Sequence, residues 1–180
     1  IAAFFIETYQ GWGAWMYPEQ YMRDMYHFAK ENNILICFDE IQAGMYRMGT
    51  LYGYMTYGEY LKPDIICVAK ALSAPMPLSA VLSSSELIDD ITKVGGTNAG
   101  NPLCCAASIA NINFLTSDCF QQDLKEKTVF FEKKFKSLEK FECVNVVNAK
   151  GMVAGIIFHE KDVATRVVTE CVKNGIMVMN

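Results

Sequence analysis

Apolar and polar positions along the chain switch between a strand-like and a helix-like period. Ile1 to Ile6 is an apolar run ended by Glu7, which predicts a buried strand, and the glycines that follow, Gly11 and Gly13, predict a loop. From Pro18 onward, Tyr21, Met22, Met25, Tyr26, Phe28 and Ala29 share one helical face. Pro18 suits the first turn, Glu19 the positive helix end, and Asn32-Asn33 a stop. Ile34 to Phe38 is continuously apolar, as expected of a parallel strand covered on both faces, and it delivers Asp39-Glu40 at its carboxyl end. Residues 42–62 are aromatic and punctuated by Gly44, Gly49, Gly53 and Gly58, which predicts an elaborate loop with at most a short helix. After Pro63-Asp64 a second apolar run, Ile65 to Ala69, ends in Lys70.

Ser73 to Pro77 reads as a turn, Leu78 to Leu82 as a third internal strand, and Ser85-Glu86 as the start of a short helix. Gly95 to Gly100 is a polar loop. Asn101 then caps a helix with Pro102 in its first position and small residues, Ala106, Ala107 and Ala110, that permit close packing. Beyond Thr116 the composition shifts. Leu124, Phe131, Phe135 and Leu138 line one face of a helix rich in lysine and glutamate, strands follow near 143–148 and 152–158, and a helix from about Lys161 to Lys173 closes at Asn174-Gly175. Alternating strands and helices predict an α/β fold with a mostly parallel sheet and helices on both faces, followed by a small α+β lobe. The boundary near 116 is expected to be carried by a helix. Both ends of the chain read as cuts in a longer protein.

Composition narrows the partners. A chain of 180 residues, 52% hydrophobic and 20% charged, is long enough for one sizeable core. Its net charge of −4 and scattered lysines leave no basic stripe for nucleic acid. No apolar stretch approaches the roughly 20 residues of a membrane helix. Seven cysteines show no C-x-x-C pair and no zinc or disulfide spacing, so no metal site is expected, and they read as reduced thiols of a cytoplasmic protein.

Asp39 and Lys70 are the candidate chemistry. In parallel sheets ligands bind beyond the carboxyl ends of the strands, where both residues are predicted to stand. A carboxylate and a primary amine in those positions suit pyridoxal 5'-phosphate (PLP), which needs an anionic partner for its ring nitrogen and an amine for its aldehyde. The freed amine could then carry the proton from the substrate Cα to the cofactor. An acidic pair after an apolar strand also fits the Walker B segment of a P-loop nucleotide hydrolase, although no G-x-x-x-x-G-K-[ST] loop is present.

Three segments carry a resemblance. Ile34 to Gly44 (I-L-I-C-F-D-E-I-Q-A-G), Pro63 to Leu72 (P-D-I-I-C-V-A-K-A-L) and Gly96 to Leu103 (G-T-N-A-G-N-P-L) resemble, in order and spacing, three motifs of the class III PLP-dependent aminotransferases. The resemblance implies a type I PLP fold, with residues 1–115 as the later half of the large domain and 116–180 as the start of the small carboxyl-terminal domain. It implies that Asp39 pairs with the pyridine nitrogen, Ile41 packs against the ring, Gln42 lies near the 3'-oxygen, and Lys70 is the Schiff-base lysine. Thr97 would bind the cofactor phosphate of a neighbouring subunit, so a homodimer with sites at its interface is implied. An amino donor and an oxo-acid acceptor are the implied substrates, and the same motifs also serve aminomutases, decarboxylases and racemases. The family's phosphate-binding loop and ring-stacking aromatic belong to an earlier segment, so this stretch alone should hold PLP poorly and be inactive. One departure is Glu7-Thr8-Tyr9-Gln10-Gly11-Trp12, where Trp12 replaces a glutamate common in the family.

Overall fold

The computed structural model describes residues 1–88 and 95–179. The three predicted apolar runs become strands β1 (Ala3–Glu7), β4 (Leu35–Asp39) and β5 (Ile65–Val68), parallel to one another, and β6 (Ala80–Ser83) completes the sheet in the order β1-β4-β5-β6. β6 runs antiparallel to β5. The connection between them holds only the 3-10 turn Lys70–Leu72 and a loop, too little chain for the crossover that a parallel neighbour needs. The helix expected from Ser85 begins as a turn, with Leu87 and Ile88 donating to the Ser84 carbonyl, and its continuation lies outside the described residues.

Helix α1 (Glu19–Glu31) lays Met22, Met25 and Ala29 on Ile34, Ile36 and Phe38, and Tyr57 and Leu61 from the long loop complete this core. Lys30 pairs with Asp64 at 2.9 Å, and Asp64 also accepts the Ile36 N–H at 2.8 Å, so the end of α1, β4 and the start of β5 are tied at one carboxylate. The predicted loop at 42–62 contains one 3-10 turn, Gly53–Tyr57. The loop expected around Gly11 and Gly13 is instead a small antiparallel hairpin, β2 (Tyr9–Gln10) and β3 (Trp15–Met16). Two-residue strands are too short to leave an alternating pattern in sequence.

Asn101 caps α2 (Pro102–Leu115), its Oδ1 accepting the N–H groups of Leu103 and Cys104. The helical path breaks at Thr116-Ser117, and α3 (Asp118–Lys136), prolonged by a 3-10 turn to Lys140, leaves α2 at 68°. β7 (Val144–Lys150) and β8 (Val153–Phe158) form a second hairpin, followed by α4 (Lys161–Lys173). This hairpin docks on the first part of the chain through glycines. A Cβ on Gly151 would collide with the Met48-Gly49 backbone, and one on Gly155 with Gly13. The Met152 N–H donates to the Arg47 carbonyl at 2.8 Å, and Asn148 Nδ2 to the Gly13 carbonyl at 3.0 Å. No single helix among the described residues is long and apolar enough to cross a membrane.

Candidate active site

Three parallel strands end together on one edge of the sheet. Glu7 of β1 is in register with Asp39 of β4, and Asp39 with Cys67 of β5. Neighbouring strands lie about 4.8 Å apart, so the chain leaving Cys67 toward Lys70 emerges beside Asp39. The join is fixed by the Glu40 N–H, which donates to the Cys67 carbonyl at 2.9 Å. Asp39 is half-buried, and its Oδ1 accepts the Ile41 N–H at 3.0 Å. Its other oxygen takes no hydrogen bond from the described residues.

Lys70 has an unusual backbone. Its φ is +45°, in the left-handed region that residues with a Cβ seldom enter, at a cost of about 1–3 kcal/mol. Such a conformation persists only where its surroundings over-determine it. Here the Leu72 N–H closes the turn on the Ala69 carbonyl at 2.9 Å, Asn111 Nδ2 of α2 donates to the Ala71 carbonyl at 2.6 Å, and Ser108 Oγ of α2 donates to the Leu72 carbonyl at 3.0 Å. The Lys70 side chain is exposed and forms no hydrogen bond or ion pair with the described residues. Ser108 and Asn111 were not singled out from sequence, although two small polar residues three apart on an otherwise apolar helix face are the signal of a backbone clamp.

Glu40 has a different task from its neighbour. It is 1% exposed, and its two carboxylate oxygens accept the Gly53 N–H at 2.6 Å and the Tyr54 N–H at 2.9 Å. Burial raises its pKa above the usual carboxylate value, against the pull of those two N–H groups. A carboxylate occupied in this way is committed to the backbone of the 42–62 loop and not to a ligand. Among the described residues no group of three or more His, Cys, Asp or Glu side chains could hold a metal. Glu40→Ala would leave both N–H groups without their acceptor, at a cost of about 2–4 kcal/mol. The folded pKa is raised, so the stabilisation by Glu40 is full below the unfolded value of 4.5 and is lost as pH rises through the folded value. Thermal melts of the complete protein should therefore show the midpoint gap between wild type and Glu40→Ala narrowing as pH rises; a gap that widens contradicts this.

The remaining candidates are unequally placed. Ile41 and Gln42 follow Asp39 directly and are half-buried, and the Gln42 amide lies against Gly11, where any Cβ would strike it. Thr97 begins an exposed turn in which the Ala99 N–H donates to the Gly96 carbonyl at 2.9 Å, and it has no hydrogen bond to the other four. Trp12 stands at the hairpin tip, 77% exposed, its indole N–H donating to Gln10 Oε1 at 3.2 Å. Behind Asp39 the thiols of Cys37 and Cys67 lie 3.8 Å apart, and burial with that contact pushes the Cys37 thiol up to about 12, so it stays protonated at neutral pH. A carboxylate oxygen and an amine that no described residue engages, carried by neighbouring strands, are of the kinds that PLP requires.

Similarity to known proteins extends over the whole chain. The family model described as "Aminotransferase class-III" matches residues 1–180. The acetylornithine aminotransferase of Caldanaerobacter subterraneus is 31% identical over 183 residues, covering 99% of this chain and 45% of that protein. A probable mitochondrial ornithine aminotransferase of Caenorhabditis elegans is 31% identical, covering 100% of this chain and 43% of that protein. Among solved structures, the ornithine delta-aminotransferase of Plasmodium falciparum superposes with a TM-score of 0.88 at 28% identity, covering 99% of this chain and 47% of that one. The chain thus spans a little under half the length of the relatives it matches.

Proposed function

Because the chain belongs to the class III aminotransferase family, we propose that the complete protein is a PLP-dependent aminotransferase, moving an amino group from an amine or amino acid to an oxo acid. The observation that carries this reading is the register of adjacent parallel strands, which pairs Asp39 at the end of β4 with Cys67 of β5, three residues before Lys70. When bound, PLP supplies an electron sink for the negative charge left at the substrate Cα.

The residues divide the work. Asp39 would hold the cofactor by its ring nitrogen and favour the protonated form, because opposite charges stabilise each other. Ile41 would pack against the ring and Gln42 would lie near the 3'-oxygen. Lys70 is the residue that would hold the cofactor through its aldehyde, and its amine, once freed, would serve as the base that moves the substrate Cα proton. Thr97, on an exposed turn, would hold the cofactor phosphate of a second copy, and the active unit would then be a homodimer. Residues 1–115 belong to the large domain and 116–180 open the small one. Seven free cysteines support a cytoplasmic site of action.

Borohydride treatment of the complete protein loaded with PLP should fix the cofactor on the peptide containing Lys70. Labelling of any other lysine, or none, sinks the assignment.

A further inference from the structure

The proposed role of Lys70 leaves its backbone unexplained, since a lysine could reach a cofactor from an ordinary extended strand end. From the strained turn and its two side-chain anchors, we infer that Asn111 and Ser108 of α2 are positioning residues for Lys70. This rests on the reading of Lys70 as the cofactor lysine.

The chain enters the turn fully extended at Ala69, with φ −160° and ψ −149°, and reverses into the left-handed region at Lys70. Within β5 successive side chains alternate faces. The reversal breaks that alternation at the residue whose direction matters most, so the aim of the amine depends on how firmly the turn is held. The turn's own hydrogen bonds are few: the Leu72 N–H to the Ala69 carbonyl at 2.9 Å, and the Ser73 N–H to the Lys70 carbonyl at a long 3.4 Å. The carbonyls of Ala71 and Leu72 then face α2. Asn111 Nδ2 spans both, at 2.6 Å and 3.3 Å, and Ser108 Oγ adds a second bond to Leu72 at 3.0 Å. Ser108 is buried, 6% exposed, and Leu72 beside it is 7% exposed, so water does not substitute freely for these donors.

Neither residue touches the reacting atoms. They act by removing alternative orientations of the turn, so the lysine amine is aimed before substrate arrives. Displacement of a reacting group by about 1 Å can cost on the order of a hundredfold in rate.

The test uses the complete PLP-loaded protein, with turnover expressed per cofactor-loaded site. Asn111→Asp keeps size and shape but replaces the donor by a carboxylate oxygen facing two carbonyls. Ser108→Ala removes the second donor with little change in volume. Asn111→Asp should lower kcat about 10- to 100-fold with KM for the amino donor near the wild-type value, and should shift the pH at which the cofactor absorbance band titrates. Ser108→Ala should move both readouts in the same direction by less. An unchanged kcat per loaded site in both variants overturns the inference, even if loading or thermal stability falls, because that is the behaviour of residues with a structural role alone. Borohydride labelling away from Lys70 in the wild type would defeat the parent reading and this one together, whereas labelling on Lys70 with unchanged kcat in the variants defeats this one by itself.

Discussion

Lys70→Ala in the complete protein is expected to lower amino transfer by about 10⁴-fold, while cofactor and substrate can still enter the site. The substitution is a clean probe because alanine carries the same Cβ into the left-handed turn at φ +45°, so the backbone penalty is unchanged and only the amine is lost. Lys70→Arg is the control. A guanidinium keeps the positive charge but remains protonated and cannot take a proton or bond to the aldehyde. If either variant retained more than a small fraction of wild-type turnover in single-turnover kinetics, the proton carrier would have to be another group.

Asp39→Asn is expected to slow loss of the substrate Cα proton by about 10²- to 10³-fold. An amide oxygen in place of Oδ1 can still accept the Ile41 N–H that Asp39 now holds at 3.0 Å, so the strand end keeps its shape. What disappears is the negative charge that favours a protonated ring nitrogen. Asp39→Ala removes the charge and the acceptor together and should add a loss of cofactor affinity that Asp39→Asn does not show. The measurement is exchange of the substrate Cα hydrogen with deuterium under turnover. Exchange at the wild-type rate in Asp39→Asn would mean that ring protonation does not come from this residue.

The sequence made the central sheet legible because its strands are continuous apolar runs. β1, β4 and β5 fall within a residue or two of Ile1–Ile6, Ile34–Phe38 and Ile65–Ala69. Chain direction was legible only where a helix intervenes. α1 carries β1 to a parallel β4, but the short path from Lys70 to Ala80 forces β6 antiparallel, which an apolar run cannot announce. The β2–β3 hairpin was hidden because two-residue strands between glycines look like loop. Side-chain assignments divided on similar grounds. Asp39 and Glu40 are adjacent acids at the end of one apolar run, and only the hydrogen bonds of Glu40 to Gly53 and Tyr54 mark it as the structural carboxylate of the two. The left-handed backbone of Lys70, and its ties to Ser108 and Asn111, depend on contacts 36 and 40 residues away in sequence, beyond the reach of any local pattern.

The docking of Asn148 and Gly155 on Gly13 joins positions 135 and 142 residues apart. Contacts of that span are slow to form, because a long stretch of chain must lose its freedom before any interaction compensates. The β2–β3 hairpin, close to the strand ends in sequence, thus gains its backing only after the second hairpin has folded and arrived. Synthesis of the chain runs in the same direction. The sheet edge with Asp39 and Lys70 can form while the polypeptide is still emerging, and the rim that bears Trp12 is among the last parts to set.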